Sequence, residues 1–182
     1  ELESLSVYEA SFSVSNDHKY TSVDGVLYSN SGSELAVFPA KKQGRFEISD
    51  GVTTIWKGAF DSSNLTYLVI PGSITNLKDE TFKNSKITNI EFTSDMAPTI
   101  GNDVFMGCMY VRIRVPYGCK SEYEGFGNVM EIYYEDGIQY SIRNSEVDVV
   151  GFSSDCSNNV VLPRSIEISG ASYTVKNMAD SC

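Results

Sequence analysis

The feature that most constrains this chain is an internal period. Ile48, Ile70, Phe92 and Val115 stand 22, 22 and 23 residues apart, and Phe60, Phe82 and Phe105 keep the same step. The apolar positions between these markers recur in order. Phe46, Ile48, Val52, Ile55, Ala59 and Phe60 align with Leu68, Ile70, Ile74, Leu77, Thr81 and Phe82, then with Ile90, Phe92, Ile100, Val104 and Phe105. One unit of this length cannot bury its apolar side alone, so it must stack on its neighbours, strand beside strand. The period therefore predicts a right-handed solenoid with a parallel ladder, not a layered globular fold.

Inside each unit the apolar spacing changes, which shows how one turn of the coil is made. Phe46 and Ile48, Leu68 and Ile70, Ile90 and Phe92, and Ile113 and Val115 alternate at period two, as a short strand does when one side meets a core. Asp50-Gly51, Pro71-Gly72 and Pro116-Tyr117-Gly118 end the strands, because proline lacks a ladder donor and glycine accepts positive φ. Lys57-Gly58-Ala59-Phe60 and Glu80-Thr81-Phe82 then read as single helical or 3₁₀ turns on the convex side, each sending one ring inward. Ser63, Ser85 and Cys108 follow each Phe by three positions, where a tight return leaves room for little else. Cys108 is accordingly expected as a buried structural thiol.

Leu68-Val69-Ile70-Pro71, Ala59-Phe60, Thr81-Phe82, Val104-Phe105 and Cys108 resemble the unit of the BspA-like leucine-rich-repeat family of bacterial surface proteins. The resemblance implies a leucine-rich-repeat solenoid, mainly β, with short convex turns in place of long helices and β-hairpins where modules begin. It also implies a secreted or cell-surface location. Ser22 to Tyr28, then Ser31-Gly32 and Leu35 to Pro39, read as a hairpin over about 20–39 with a tight Ser-Gly turn. Repeats are expected over about 45–123, and Tyr123, Phe126 and Ile132 resemble a closing segment that ends a first module, 1–130, at about residue 130. Glu135-Asp136-Gly137-Ile138 restarts the pattern, and Val160 to Pro163, Ile166, Tyr173, Val175 and Met178-Ala179 continue it. Residues 131–182 are thus expected to begin a second, truncated module of a longer protein.

The same residues argue against chemistry in this segment. A formal charge of −10 repels nucleic-acid phosphates and anionic lipid, and no apolar run is long enough to span a bilayer, so neither nucleic acid nor membrane insertion is an expected partner. Cys108, Cys119, Cys156 and Cys182 show no CxxC spacing and the one histidine is His18, so neither metal nor cofactor is expected. The thiols are read as free in preference to disulfide-bonded. His18 sits in a polar stretch and reads as a solvated loop residue; Asp79-Glu80 and Glu135-Asp136 read as surface charge, with nothing to desolvate one carboxyl of each pair. Asn64-Leu65-Thr66 fits a glycosylation triplet, but Leu65 is in phase with the core. No enzymatic function is expected.

What remains is surface. If Phe46, Ile48 and their equivalents point inward, the alternate strand positions form two columns on the concave sheet. One is Arg45, Tyr67, Asn89 and Arg112; the other is Glu47, Val69, Glu91 and Arg114. Tyr and Arg are enriched at binding hot spots, so these eight are the candidate binding residues for a protein or glycan ligand, host ligands included. The plainer reading makes them soluble cross-strand neighbours, such as Glu91 beside Arg114. Two functions follow: an extracellular recognition or adhesion module, or a structural spacer of a larger surface protein with any enzymatic activity elsewhere.

Overall fold

The structure is a computed structural model that describes residues 19–143, 146–152 and 162–178. His18, Cys156, Cys182, Val160, Val161 and Ala179 lie outside these residues.

Four strands repeat at the solenoid step: β4 (Gly44–Glu47), β6 (Leu65–Ile70), β8 (Asn89–Phe92) and β10 (Arg112–Pro116). They pair in parallel, Phe46 beside Leu68 and Ile90 beside Ile113, so every unit adds one rung in the same register. A second parallel ladder runs along the coil through β5 (Thr54–Ile55), β7 (Asn76–Leu77) and β9 (Thr99–Ile100). These two-residue strands were not legible in the sequence, because a pair such as Thr-Ile carries no alternation.

The second ladder begins on the hairpin region. The strands β1 (Tyr20–Val23), β2 (Val26–Ser29) and β3 (Glu34–Val37) pair antiparallel in order, and β3 then pairs in parallel with β5. The expected turn around Ser31-Gly32 joins β2 to β3, with Gly32 at φ 75°. The sequence reading missed the first hairpin, whose turn is Asp24-Gly25 at φ 50° and 77°. Two consecutive positive φ values make the two-residue turn whose twist matches the flanking strands, which is why Asp-Gly occupies it. Asp136-Gly137 repeats that turn at φ 50° and 76°. It joins β11 (Val129–Glu135) to β12 (Ile138–Arg143), and β13 (Glu146–Phe152), β14 (Ser165–Ile168) and β15 (Ala171–Met178) follow. Because β10 pairs in parallel with β11, and β11 antiparallel with β12, one nine-stranded sheet carries the repeat strands on into these later ones.

The convex turns are closed by i to i+3 hydrogen bonds, Ala59 N–H to Trp56 O at 3.1 Å and Ser63 N–H to Phe60 O at 3.1 Å in the first. They also bond between units: Phe60 N–H reaches Thr81 O and Phe82 N–H reaches Val104 O, both at 2.9 Å. Among the described residues the only helix is the 3₁₀ segment Lys120–Phe126.

The core lies between the two ladders. Phe38, Phe60, Phe82 and Phe105 form one column of rings with centroids 4.8, 5.2 and 5.6 Å apart. Phe38 extends the column that the spacing predicted by one ring, since the end of the hairpin supplies what an earlier repeat would. At the other end Phe105 is only partly buried, with Phe82 as its one ring neighbour among the described residues. Tyr123 and Phe126 pack on Phe92 at 5.0 and 5.2 Å, and the Tyr123 hydroxyl donates to Ser94 O at 2.8 Å. Cys108 and Cys119 are free thiols. Cys108 is half-buried where full burial was expected, for the same reason as Phe105: it stands on the last convex turn, with its Sγ turned to Phe82 O at 2.8 Å. A second cluster, Ile138, Tyr140, Val147, Val149, Ile166 and Ile168, lies among β12 to β14.

Candidate functional site

The parallel register brings the eight candidate residues into two rows. Arg45 stands beside Tyr67, Tyr67 beside Asn89 and Asn89 beside Arg112; Glu47 stands beside Val69, Val69 beside Glu91 and Glu91 beside Arg114. The rows differ sharply in exposure. Arg45, Glu47 and Arg112 are exposed and Tyr67 and Asn89 are half-buried. Val69, Glu91 and Arg114, expected to project into solvent, are instead 3%, 5% and 6% exposed. The cause lies later in the chain: Tyr134, Gln139, Val150, Gly151 and Phe152 on β11 to β13 come round against this face and wall it on one side.

Burial turns what reads as a solvated charge pattern into a connected network centred on Tyr67. Two guanidinium groups lie over its ring, Arg45 Cζ 4.4 Å and Arg114 Cζ 5.4 Å from its centroid, where the π-system attracts cations. Its hydroxyl donates to Glu91 Oε2 and accepts from Arg114 Nη1 at 3.3 Å. Glu91 takes a second hydroxyl from Tyr134 at 2.5 Å and faces Arg45 Nη1 at 3.8 Å. Glu91 and Arg114 are register neighbours, yet the ion pair Glu91 makes is with Arg45. Burial, reinforced by the Glu91 carboxylate, pushes the Tyr67 and Tyr134 hydroxyls above the usual phenol range, with Arg114 opposing. Both remain donors at neutral pH.

Beside this network is an open cleft of about 360 Å³ lined by Arg45, Tyr67, Asn89, Arg114, Gln139, Val150, Gly151 and Phe152. Asn89 Oδ1 and Arg114 Nε are buried there without hydrogen-bond partners. The lining offers guanidinium, phenol and amide groups that can hydrogen-bond a ligand. Burial and the nearby Asp95 push the Cys119 thiol up, which lowers its thiolate fraction. Among the described residues no group of three or more His, Cys, Asp or Glu is placed to hold a metal ion, and no helix is long and apolar enough to cross a membrane.

Sequence reasoning found the four repeat-strand residues of the cleft and missed the other wall. Gln139 follows the Asp-Gly restart, so its position on a strand was foreseeable. Its place opposite Tyr67 was not, because that depends on how far the sheet curls after β10.

Comparison with known proteins supports the repeat assignment. Among curated proteins none matches the sequence. Among solved structures, the crystal structure of the pneumococcal vaccine antigen PcpA is similar at 12% identity with a TM-score of 0.35, covering 62% of this chain and 46% of that one. The chain therefore spans less than half the length of that antigen chain. The model of the BspA type leucine rich repeat region matches residues 36–126 in 6 copies, the stretch that contains both parallel ladders and the phenylalanine column. This chain belongs to the BspA-type leucine-rich-repeat family.

Proposed function

We propose that the chain is a non-catalytic recognition module of a larger cell-surface or secreted protein, and that its ligand, a protein or a glycan, seats on the concave face of the repeat sheet. The observation that carries this reading is the exposed row beside the cleft. Arg45 and Arg112 stand exposed at either end of Tyr67 and Asn89 on the parallel sheet, the arrangement of cations and an aromatic that forms binding hot spots. Membership in a family of surface repeat proteins supports the location.

The test is a screen of the full chain against extracellular proteins and glycans, followed by Arg45→Ala with Arg112→Ala. Arg112 is exposed, so its change should move stability by no more than about 0.5 kcal/mol, whereas Arg45 also faces the buried Glu91 and its change should cost about 1 kcal/mol more; affinity should fall with both. Changes to Ala at Lys57, Lys78 and Asp103 on the convex turns are the control. Equal loss from the control set would remove the concave face from consideration. The spacer reading has its own support in the burial of Val69, Glu91 and Arg114 by the chain itself, and it prevails if the screen yields no ligand.

A further inference from the structure

Resting on the concave-face reading, we propose that the cleft between the repeat sheet and the β12–β13 wall is a subsite for one acidic sugar ring, whose carboxylate meets Arg114 and Arg45. The cleft is a cationic place in an anionic chain: its lining includes Arg45 and Arg114 and no acid, against a formal charge of −10 overall. Arg114 is 6% exposed, and among the described residues no carboxylate lies in ion-pair distance of it. Its Nη1 donates to the neutral Tyr67 hydroxyl at 3.3 Å and its Nε has no acceptor. A buried guanidinium without an anion is unfavourable, whereas a carboxylate offers it two oxygens in a matching fork. Glu91 does not fill that role, because its oxygens are taken by the hydroxyls of Tyr67 and Tyr134 and by Arg45.

A second group specifies the rest of the ligand. Asn89 donates its amide to Thr88 Oγ1 at 3.0 Å, which leaves Asn89 Oδ1 as a buried acceptor with no donor. The ligand should therefore bring a hydroxyl close to its carboxylate, as an acidic sugar does on one ring and an Asp or Glu side chain does not. Both orphaned atoms are shut off from solvent, so engaging them takes a side-chain rotation. On the opposite wall the Gln139 side chain packs on Gly151, where a Cβ would lie 2.7 Å from Gln139 Oε1. A volume of about 360 Å³ is at the small end of ligand pockets and suits a single ring better than a run of peptide.

The test uses the full ¹⁵N-labelled chain with glucuronate and N-acetylneuraminate as probes, and glucose, glucuronate methyl ester and an acetylated Glu-Glu amide as controls. The acids should shift the side-chain amide signals of Asn89 and Gln139 saturably, while the ester and glucose should not. Arg45→Gln should weaken acid binding about tenfold, and Arg45→Lys, which keeps a cation facing Glu91, should bind the acids more tightly than Arg45→Gln and melt closer to the parent. Equal binding of the ester, unchanged affinity in Arg45→Gln, or no saturable shift would overturn the subsite. Tighter binding of the dipeptide would replace the sugar with a peptide acid. If the acids fail while another ligand still depends on Arg112, the subsite is wrong and the recognition reading stands.

Discussion

Tyr134 donates its hydroxyl to Glu91 at 2.5 Å across 43 residues of sequence, tying the strand that follows the repeats to the inner face of the third repeat strand. Through Glu91 the same carboxylate holds Tyr67 and faces Arg45, so one acidic side chain joins three others. Replacing Glu91 by Ala should cost about 2–4 kcal/mol in urea unfolding, because two hydroxyls and a cation lose their partner at a buried position. Loss below about 1 kcal/mol would mean the network does not stabilise the fold.

The phenylalanine column predicts a gradient. Phe82 is fully buried between Phe60 and Phe105, so Phe82→Ala should cost about 3–5 kcal/mol. Phe105 has a ring neighbour on one side and is partly buried, so Phe105→Ala should cost clearly less in the same denaturant experiment. Equal losses would show that the column end is as well packed as its middle.

Tyr123 sets an alkaline limit. Its ring is fully buried and its hydroxyl donates to Ser94 O and Met96 O, and burial pushes its pKa to about 12. An unfolded tyrosine ionises near 10, so the unfolded chain releases this proton first as pH rises. The stabilisation is therefore intact below about pH 10 and is lost progressively as pH rises through about 12. Melting temperatures between pH 8 and 11 should fall less steeply in Tyr123→Phe than in the parent. That variant should also lose about 1–3 kcal/mol at neutral pH from the two orphaned carbonyls.

Gly101 is a packing constraint. A Cβ there would lie 2.5 Å from the Asp79 backbone nitrogen, and Asp79 Oδ1 accepts the Asn102 N–H at 2.8 Å. Gly101→Ala should destabilise by about 1–3 kcal/mol, by pushing the third convex turn away from the second. A neutral outcome in thermal unfolding would show that the turns can separate without loss.

How far the chain explains itself differs between its parts. The 22-residue step fixed the four parallel strands, the phenylalanine rings and the row membership of all eight candidate residues. Those are consequences of stacking: once like units stack in phase, the side-chain alternation of one strand settles the faces of all the others. The two-residue strands at Thr54, Asn76 and Thr99 carry no such pattern and became visible only as a ladder. The site was half legible. Sequence named Arg45, Tyr67, Asn89 and Arg114, but periodicity stops at the last repeat and says nothing about where Tyr134, Gln139 and Gly151 come to rest. That placement depends on the Asp136-Gly137 turn and on the course of the sheet, which sets Gly151 of β13 in one cleft with Arg45 of β4. Only the tertiary structure therefore decided that Glu91 and Arg114 are buried and that the inner face holds a cleft. The repeat is a local rule copied along the chain, whereas burial of its inner face is a contact between residues that no local rule connects.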